Sequence, residues 1–184
     1  MRNLTEEELR VVFEKLAKFI GKDIKALVED SNENYCFRLQ KDRVYYAREV
    51  VAAAATNIAR HNLASLGICV GKFTHGGRFQ VHITFVTYLA RLAKYKVWLK
   101  PQSEMSFLYG NNVLKGGVAR MTENTPKNQQ VVVFNQSEIP LGFGVSARSS
   151  LEVQQASSTD LIVLNQADVG SYLRDEDHFV GCGL

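Results

Sequence analysis

No stretch of this chain combines enough length with enough apolar character to cross a membrane, because no run of about 18 uncharged apolar residues occurs. The first twenty residues also lack the pattern of a secretory or organellar leader, since they contain the acidic residues Glu6, Glu7, Glu8 and Glu14. The sequence therefore predicts an intracellular, soluble protein without a membrane partner. Its 46% apolar content excludes a mainly disordered chain.

Cysteine and histidine are scarce and widely spaced. The three cysteines, Cys36, Cys69 and Cys182, show no Cys-x-x-Cys spacing, which argues against a zinc ribbon and against a disulfide framework. The histidines have no metal-ligand spacing either, and His75 and His82 are predicted to be solvated, in a turn and on the outer face of a strand. No metal site and no cofactor are expected.

Motifs of catalysis and nucleotide binding are missing. The stretch Gly110 to Gly116 superficially resembles a phosphate loop, but no Gly-Lys-Ser/Thr follows it. Gly142-Phe-Gly144 lacks the third glycine of a dinucleotide site and fits a strand whose small residues allow close packing. No serine lies in a nucleophile-elbow context, and no Cys-His-Asp ordering stands out. The sequence therefore gives no support to an enzyme.

Positive charge is unevenly distributed. Residues 1–94 hold 15 Lys and Arg against 10 Asp and Glu, whereas residues 95–184 hold 7 against 9. The second half therefore lacks the strong basic footprint of a tight, autonomous nucleic-acid binder.

The pattern of the first half predicts an antiparallel α+β domain. Thr5 and Glu8 form a capping box before a helix with helical apolar spacing to Ile20. Two hairpins follow, and between them the segment from Glu49 to Ile58 reads as a helix that buries Val50, Val51, Ala54 and Ile58. The hairpins are Tyr35–Leu39 with Arg43–Ala47, and Ser65–Phe73 with Phe79–Ile83. A last helix spans Phe85 to about Leu92.

The second half is rich in short strands and predicts a small closed barrel. The expected strands are Lys96–Lys100, Val131–Phe134, Leu141–Val145 and Leu161–Leu164. A short helix from Gln102 to Tyr109 ends at Gly110, and Gly116-Gly117 lets the backbone turn sharply or approach a neighbour closely. The polar segments 122–130 and 149–160 are predicted to be surface loops. We expect two domains, 1–94 and 95–174, and a flexible acidic tail, 175–184.

Basic and aromatic residues gather near the glycines of the second half. Each is either an ordinary surface charge or a contact to the phosphates of a structured RNA. The candidate RNA-binding residues are Lys96, Lys100, Gly110, Lys115, Gly116, Arg120, Arg148 and Arg174, with Tyr109 and Tyr172 beside them.

Several motifs occur together in one order along the chain. Those of the second half are Lys96-Val-Trp-Leu-Lys-Pro101, Ser106 to Gly116, Ile139-Pro-Leu-Gly-Phe-Gly-Val145 and Gln166-Ala-Asp-Val-Gly170. Those of the first half are Leu4-Thr-Glu-Glu-Glu8, Tyr35-Cys-Phe-Arg-Leu39, Asp42-Arg-Val-Tyr-Tyr46, Ser65-Leu-Gly67 and Gly71-Lys-Phe-Thr74. By these motifs nearly the whole chain resembles the Nip-seven family of factors for assembly of the large ribosomal subunit.

The resemblance implies a C-terminal PUA domain, a mixed β pseudobarrel that binds pre-ribosomal RNA, and an N-terminal α/β domain that binds pre-ribosomal assembly proteins. It implies a monomeric, non-enzymatic protein of the nucleus and nucleolus. The glycine-helix motif carries over onto Gly110, Lys115 and Gly116. Where some relatives have a basic cluster, this chain has Gln154 to Thr159 without a positive charge, which argues against strong RNA binding by the domain alone.

The first half offers a candidate protein-docking surface on its two hairpins. Arginine and tyrosine are enriched among interface anchors, and the candidate anchors are Arg43, Tyr45 and Arg78, with Arg38, Lys41 and Arg48 nearby. Ordinary solubilising charge is the other interpretation of these residues. Two further functions stay open: a targeting subunit or remnant of an RNA-modifying enzyme, and a scaffold that contacts proteins only.

Overall fold

Two compact units, each with its own β-sheet, make up the computed structural model, which describes residues 1–27, 34–59, 62–63 and 66–174. The division lies between Phe85 and Val86. The expected tail, 175–184, lies outside the described residues.

The first unit is built on a five-stranded antiparallel sheet with the strands in sequence order. The strands are β1 (Arg2–Asn3), β2 (Tyr35–Gln40), β3 (Arg43–Arg48), β4 (Ile68–Phe73) and β5 (Phe79–Val81). Both predicted hairpins are confirmed, because β2 pairs with β3 across a two-residue turn and β4 pairs with β5.

Helix α1 (Glu6–Ile20) begins as predicted at a capping box. The Glu8 amide donates to the Thr5 hydroxyl (3.3 Å), and the Thr5 amide donates to the Glu8 carboxylate (2.9 Å). The helix packs on the sheet through an edge-to-face contact of Phe13 with Phe37, whose ring centroids are 5.5 Å apart. Its buried residues are Val12, Leu16, Phe19 and Ile20, and each contributes roughly 1.5–3 kcal/mol of transfer free energy.

Helix α2 (Glu49–Ala54) buries a different face from the predicted one. Ala52 and Ala55 are buried, whereas Val50 is 81% exposed and Ile58 is 48% exposed. The predicted apolar face was therefore wrong. The helix lies against β2 and β3, and small alanine side chains permit that close approach while the larger Val and Ile remain outside. Short 3-10 segments occupy Gly21–Leu27, Ala55–Asn57 and Ile83–Phe85.

The second unit contains helix α3 (Val86–Leu92) and a six-stranded mixed sheet. Its strands are β6 (Lys96–Leu99), β7 (Val113–Leu114), β8 (Val118–Met121), β9 (Gln130–Phe134), β10 (Pro140–Ser146) and β11 (Leu161–Asp168). They lie in the order β7-β11-β10-β9-β6-β8, and all neighbours are antiparallel except β6 and β9. The remaining helices are α4 (Pro101–Leu108), α5 (Ser150–Gln155) and α6 (Val169–Arg174).

The sheet curls into a nearly closed barrel because its two edge strands follow each other in the chain. β7 and β8 stand at opposite ends of the strand order but are joined by the three-residue turn Lys115–Gly117. The Gly116 amide donates to the Ser158 carbonyl (2.8 Å), and the Lys100 amide donates to the Gly117 carbonyl (2.9 Å). These bonds hold the two ends of the sheet together and confirm the predicted pseudobarrel.

Glycines bring neighbouring backbones together inside this barrel, as the sequence predicted. A Cβ on Gly142 would lie 2.3 Å from the Ala167 carbonyl oxygen, and one on Gly144 would lie 2.2 Å from the Leu164 carbonyl oxygen. The core enclosed by the strands consists of Val97, Leu99, Phe107, Val113, Val118, Val131, Val133, Leu141, Val153, Ile162 and Val163.

Two helices were missed by the sequence analysis. The segment 149–160, predicted to be a loop, contains α5, which begins at a second capping box between Ser149 and Glu152 and buries Val153 against the barrel core. Only one buried apolar residue marks this helix, so its sequence appears polar throughout. Helix α6 follows β11 directly and has no buried residue.

His82 is half-buried, contrary to the prediction that it is solvated. β5 ends at Val81, after which the His82 amide donates to the Val70 carbonyl (2.8 Å) and His82 Nδ1 lies 3.0 Å from Thr84 Oγ1. Burial, together with the nearby positive charges of Arg43 and Lys72, lowers the pKa of His82 to about 4.

This pKa predicts a loss of stability in mild acid. Between about pH 6.5 and pH 4 the unfolded chain binds a proton at His82 that the folded chain does not bind. The contribution of neutral His82 to the free energy of unfolding is therefore fully present above pH 6.5. It is lost as the pH falls towards 4, which lowers the free energy of unfolding by roughly 1 kcal/mol after allowance for partial solvent screening. His82→Gln should remove this part of the pH dependence in urea titrations, and His75→Gln, in the exposed turn, should not.

A second prediction concerns the turn that closes the barrel. A Cβ on the buried Gly117 would lie 2.5 Å from Ser103 Oγ and 2.8 Å from Ser103 Cβ. Gly117→Ala should therefore lower the free energy of unfolding by about 1–3 kcal/mol, and by less in a Ser103→Gly background. Gly76→Ala is the control, because a Cβ there meets nothing within 4 Å. Equal effects at the two glycines in chemical denaturation would contradict close packing at the turn.

Candidate nucleic-acid interface

The turn Lys115–Gly117 carries the first group of predicted contacts. The Lys115 amide donates to the Asp160 carbonyl (2.8 Å), and Lys100 Nζ donates to the Gly116 carbonyl (2.9 Å). Because the Gly116 carbonyl is neutral, Lys100 keeps its positive charge while it holds the turn. Within the described residues the Lys115 side chain forms no ion pair or hydrogen bond, so two ammonium groups lie beside bare glycine backbone.

A groove of about 400 Å³ runs beside this turn. Its walls come from Lys115, from β8 and from α5, including the exposed Leu151. The groove is open to solvent and combines backbone and apolar surface with the side chains of Lys115, Arg120 and Glu123. Such a surface suits shape recognition and phosphate contact better than the tight binding of a small molecule.

Arg148 contributes less charge to this group than the sequence suggested. Its guanidinium pairs with the Asp160 carboxylate (3.1 Å), and its carbonyl accepts a hydrogen bond from the Ser146 hydroxyl. Asp160 is also the residue whose carbonyl accepts from the Lys115 amide. Arg148 therefore helps to fix Asp160 beside Lys115, and the Asp160 carboxylate balances the charge of Arg148.

Lys96 and Arg120 form a second group on the outer face of β6 and β8. Arg120 stands opposite Trp98 in the strand register, and its guanidinium carbon lies 3.7 Å from the centre of the Trp98 ring. Arg120 also pairs with the Glu138 carboxylate. Lys96 Nζ lies 5.3 Å from the centre of the Phe134 ring, and Phe134 stacks on Trp98 with 5.8 Å between ring centroids.

Gly110 and Arg174 form a third group, at the end of α4. Gly110 has φ of 88°, as a glycine beyond the end of a helix requires. Arg174 donates to the Leu108 carbonyl (2.5 Å) at this helix end and pairs with Asp168 (3.3 Å), a carboxylate that is 3% exposed. Arg174 thus fixes the helix terminus, where a positive charge is favourable. Of the two predicted tyrosines, Tyr109 is exposed and Tyr172 is half-buried.

The predicted residues therefore form three groups, and the first two meet at the groove that both Lys115 and Arg120 line. Sequence reasoning missed the two aromatic rings and the three carboxylates that set their properties, namely Trp98, Phe134, Glu138, Asp160 and Asp168. Trp98, Phe134 and Glu138 carry no local signal, because strand pairing and the turn after β9 bring them to Arg120 and Lys96. Asp168 is closer in the sequence, six residues before Arg174.

The predicted docking residues of the first unit differ in accessibility. Arg78 is exposed in the turn between β4 and β5, and Arg43 is half-buried on β3 opposite Lys72. Tyr45 is only 3% exposed and packs with Cys69 and Met1, so it is a core residue and cannot act as an accessible anchor. The enrichment of tyrosine among interface anchors suggested this residue, but the sequence could not show that it is covered.

Neither metal-binding clusters nor membrane spans occur in the part of the chain that the structure describes. No group of three or more His, Cys, Asp or Glu side chains there could hold a metal ion. No helix there is both long and apolar enough to pass through a bilayer.

Comparison with family models assigns both parts of the chain. Residues 1–83 match the NIP7/UPF0113 pre-PUA domain, and residues 95–177 match the UPF0113 PUA domain. Among solved structures, a PUA domain from Aeropyrum pernix K1 superposes with a TM-score of 0.62 at 13% identity, covering 98% of this chain and 91% of its own. A PUA domain protein from Thermoplasma acidophilum gives 0.57 at 14% identity, with coverage of 94% and 95%. At these identities the structures support the fold alone.

Curated relatives match at much higher identity over nearly their whole length. The chain is 54% identical over 177 residues to the 60S ribosome subunit biogenesis protein nip7 of Schizosaccharomyces pombe, covering 96% of this chain and 98% of the relative. It is 55% identical to the protein of that description from Saccharomyces cerevisiae, with the same coverage. The homologue from Dictyostelium discoideum is 52% identical, covering 96% and 99%. The chain therefore belongs to the NIP7/UPF0113 family, with a pre-PUA domain followed by a PUA domain.

Proposed function

We propose that this protein is a non-enzymatic assembly factor of the large ribosomal subunit that acts in pre-rRNA processing in the nucleus and nucleolus. The observation that carries the proposal is the identity of 54–55% with 60S ribosome subunit biogenesis proteins over 96% of the chain. In this proposal the protein is a monomer without a cofactor, residues 95–174 bind pre-ribosomal RNA, and residues 1–94 bind pre-ribosomal proteins.

The charges of the PUA domain support a modest RNA contact. Of the six predicted cationic side chains, Arg120, Arg148 and Arg174 face carboxylates. The lysines Lys96, Lys100 and Lys115 form no ion pair among the described residues, so they supply the field that attracts phosphate. Three phosphate contacts give weak binding that depends on salt, and shape has to supply the rest.

The positive charge of the pre-PUA domain favours an acidic protein as its partner. It holds the excess of positive charge in the chain, and Arg78 is exposed in a turn rather than in a groove that could follow an RNA backbone. Arginine at such a place offers a planar fork to a carboxylate. Arg43 and Arg78 are therefore the proposed anchors of this surface, and Tyr45 is withdrawn from it.

An RNA-modifying enzyme, or its targeting subunit, is the less favoured function. PUA domains are often fused to such catalysts, but this chain spans 98% of relatives named as biogenesis factors. Its remaining half matches a pre-PUA domain rather than a catalytic one.

The RNA contact predicts a specific effect of Lys115→Glu. Removal of one phosphate contact should lower the affinity of the full-length protein for unrelated RNAs about equally and reduce the slope of log K against log salt by about 0.7. Lys127→Glu is the matched control, since it makes the same charge change beyond the other end of β8. Unchanged affinity and slope in a folded Lys115→Glu protein would place the RNA elsewhere.

The protein contact predicts a separable effect of charge reversal in the first unit. The Arg43→Glu, Arg78→Glu double variant should recover less pre-ribosomal protein in pull-downs from cell extract, because repulsion replaces attraction to an acidic partner. Its affinity for RNA should remain close to that of the parent protein. Lys25→Glu, at another exposed site of the same unit, serves as control. An unaltered set of partners would contradict the assignment.

A further inference from the structure

Arg120 is held in an unusual position for a surface arginine. Its guanidinium lies over the Trp98 ring at 3.7 Å, a stacking distance, and its edge is paired with the Glu138 carboxylate. One face of the planar group is therefore covered by an aromatic ring, and one edge is fixed. The Arg120 side chain is still 60% exposed, so its outer face is open to solvent.

Glu138, which pairs with this edge of Arg120, lies in a hydrogen-bonded turn. Glu138 lies in the turn between β9 and β10, where the Asn135 side-chain oxygen accepts from the amides of Ser137 and Ile139 (2.9 Å each). Glu138 has a positive φ of 61°, and its amide contacts the Asn135 carbonyl (3.3 Å). The turn fixes the backbone that carries Glu138, and the ion pair and the Trp98 ring together restrict the rotamers of Arg120. Less rotamer freedom is therefore lost when a ligand covers Arg120.

The ion pair between Arg120 and Glu138 also affects which part of an RNA Arg120 can contact. Glu138 balances the charge of the guanidinium and repels an approaching phosphate, so Arg120 is a poor phosphate contact. The ion pair with Glu138 does not cover the planar outer face of the Arg120 guanidinium. Guanidinium planes and aromatic rings are the surfaces on which unpaired bases stack in RNA complexes.

A phosphate contact is available next to this face. Lys96 lies two residues before Trp98 on β6 and therefore on the same side of the sheet. Its ammonium lies over Phe134, the ring that stacks on Trp98, and forms no ion pair among the described residues. The Trp98 indole nitrogen is buried without an acceptor among those residues, so this ring contributes through its face rather than through its polar edge.

We propose that Arg120, supported by Trp98 and Glu138, is the stacking site for one unpaired base of the bound RNA, and that Lys96 contacts an adjoining phosphate. This inference rests on the proposed RNA-binding function and narrows its ligand to single-stranded RNA at this face. Arg120 thereby changes from a phosphate contact, as the sequence suggested, to a base contact.

The protein contains a natural reporter for this site, because Trp98 is its only tryptophan. The probes are a decamer of oligoadenylate and a ribose-phosphate decamer of equal length without bases, each titrated into the full-length protein. Oligoadenylate should change the Trp98 emission, and the abasic chain should leave it unaltered. An equal response to both probes, or none to oligoadenylate when filter binding shows a complex, would overturn the stacking site.

Arg120→Lys tests the same site by affinity. Lysine keeps the charge and can reach Glu138, but it lacks the planar face. We expect affinity for oligoadenylate to fall at least fivefold with no change in the salt slope, whereas Lys115→Gln should reduce the slope. A reduced slope in Arg120→Lys, or an unaltered affinity, would overturn the inference.

The outcomes separate this inference from the function on which it rests. If the full-length protein binds RNA and responds to Lys115→Gln but not to Arg120→Lys, RNA binding stands and the stacking site fails. If no RNA of either kind binds in filter assays at low salt, RNA binding itself fails. A Trp98 response to an acidic peptide but not to oligoadenylate would assign this face to a protein partner and overturn the proposal.

Discussion

The three-residue turn from Lys115 to Gly117 is the constraint on which the second unit depends. It joins the two edge strands, β7 and β8, so the pseudobarrel closes only if these residues take one conformation. Lys100 holds the turn from one side through its amide and its ammonium, and Ser158 holds it from the other. The bonds that close the barrel therefore also place two lysine charges beside exposed backbone, and the candidate RNA surface is a direct consequence of how the sheet is closed.

The cationic residues of this unit divide by type. The three arginines are paired with carboxylates and fix local structure: Arg148 near the turn, Arg174 at the end of α4, and Arg120 on Trp98. Lysines, by contrast, contact neutral groups, as with Lys100 on the Gly116 carbonyl and Lys96 over Phe134. The field at the surface therefore arises from fewer charges than the sequence contains, which limits electrostatic binding and gives stacking and shape a larger share.

Local patterns predicted the elements of the fold well, and long-range pairing accounts for what they missed. The capping box at Thr5 and Glu8 acts on its own helix, so it could be predicted. The sequence also predicted a sharp turn or close approach at Gly116 and Gly117, but not that Ser158 and Ser103 are the residues approached. The partners of Arg120 could not be predicted, because Trp98 and Glu138 reach it only through the pairing of β8 with β6 and the turn after β9. The residue type of Tyr45 likewise suggested an interface anchor but could not show that Cys69 and Met1 cover it. The helix α5 was missed because Val153 is its single buried residue.

In the proposed function, neither unit has to bind tightly by itself. Three lysines give the PUA domain a weak, salt-dependent attraction to phosphate, and the arginines of the pre-PUA domain give a weak attraction to an acidic protein surface. Because both units belong to one chain, the first contact raises the effective concentration of the second, and the combined affinity exceeds either one without any new contact. A particle that presents RNA and protein at the required spacing is then preferred over free RNA or free protein. Two weak contacts in one chain thus reconcile the low charge of the PUA domain with the proposed role on an assembling ribosomal particle.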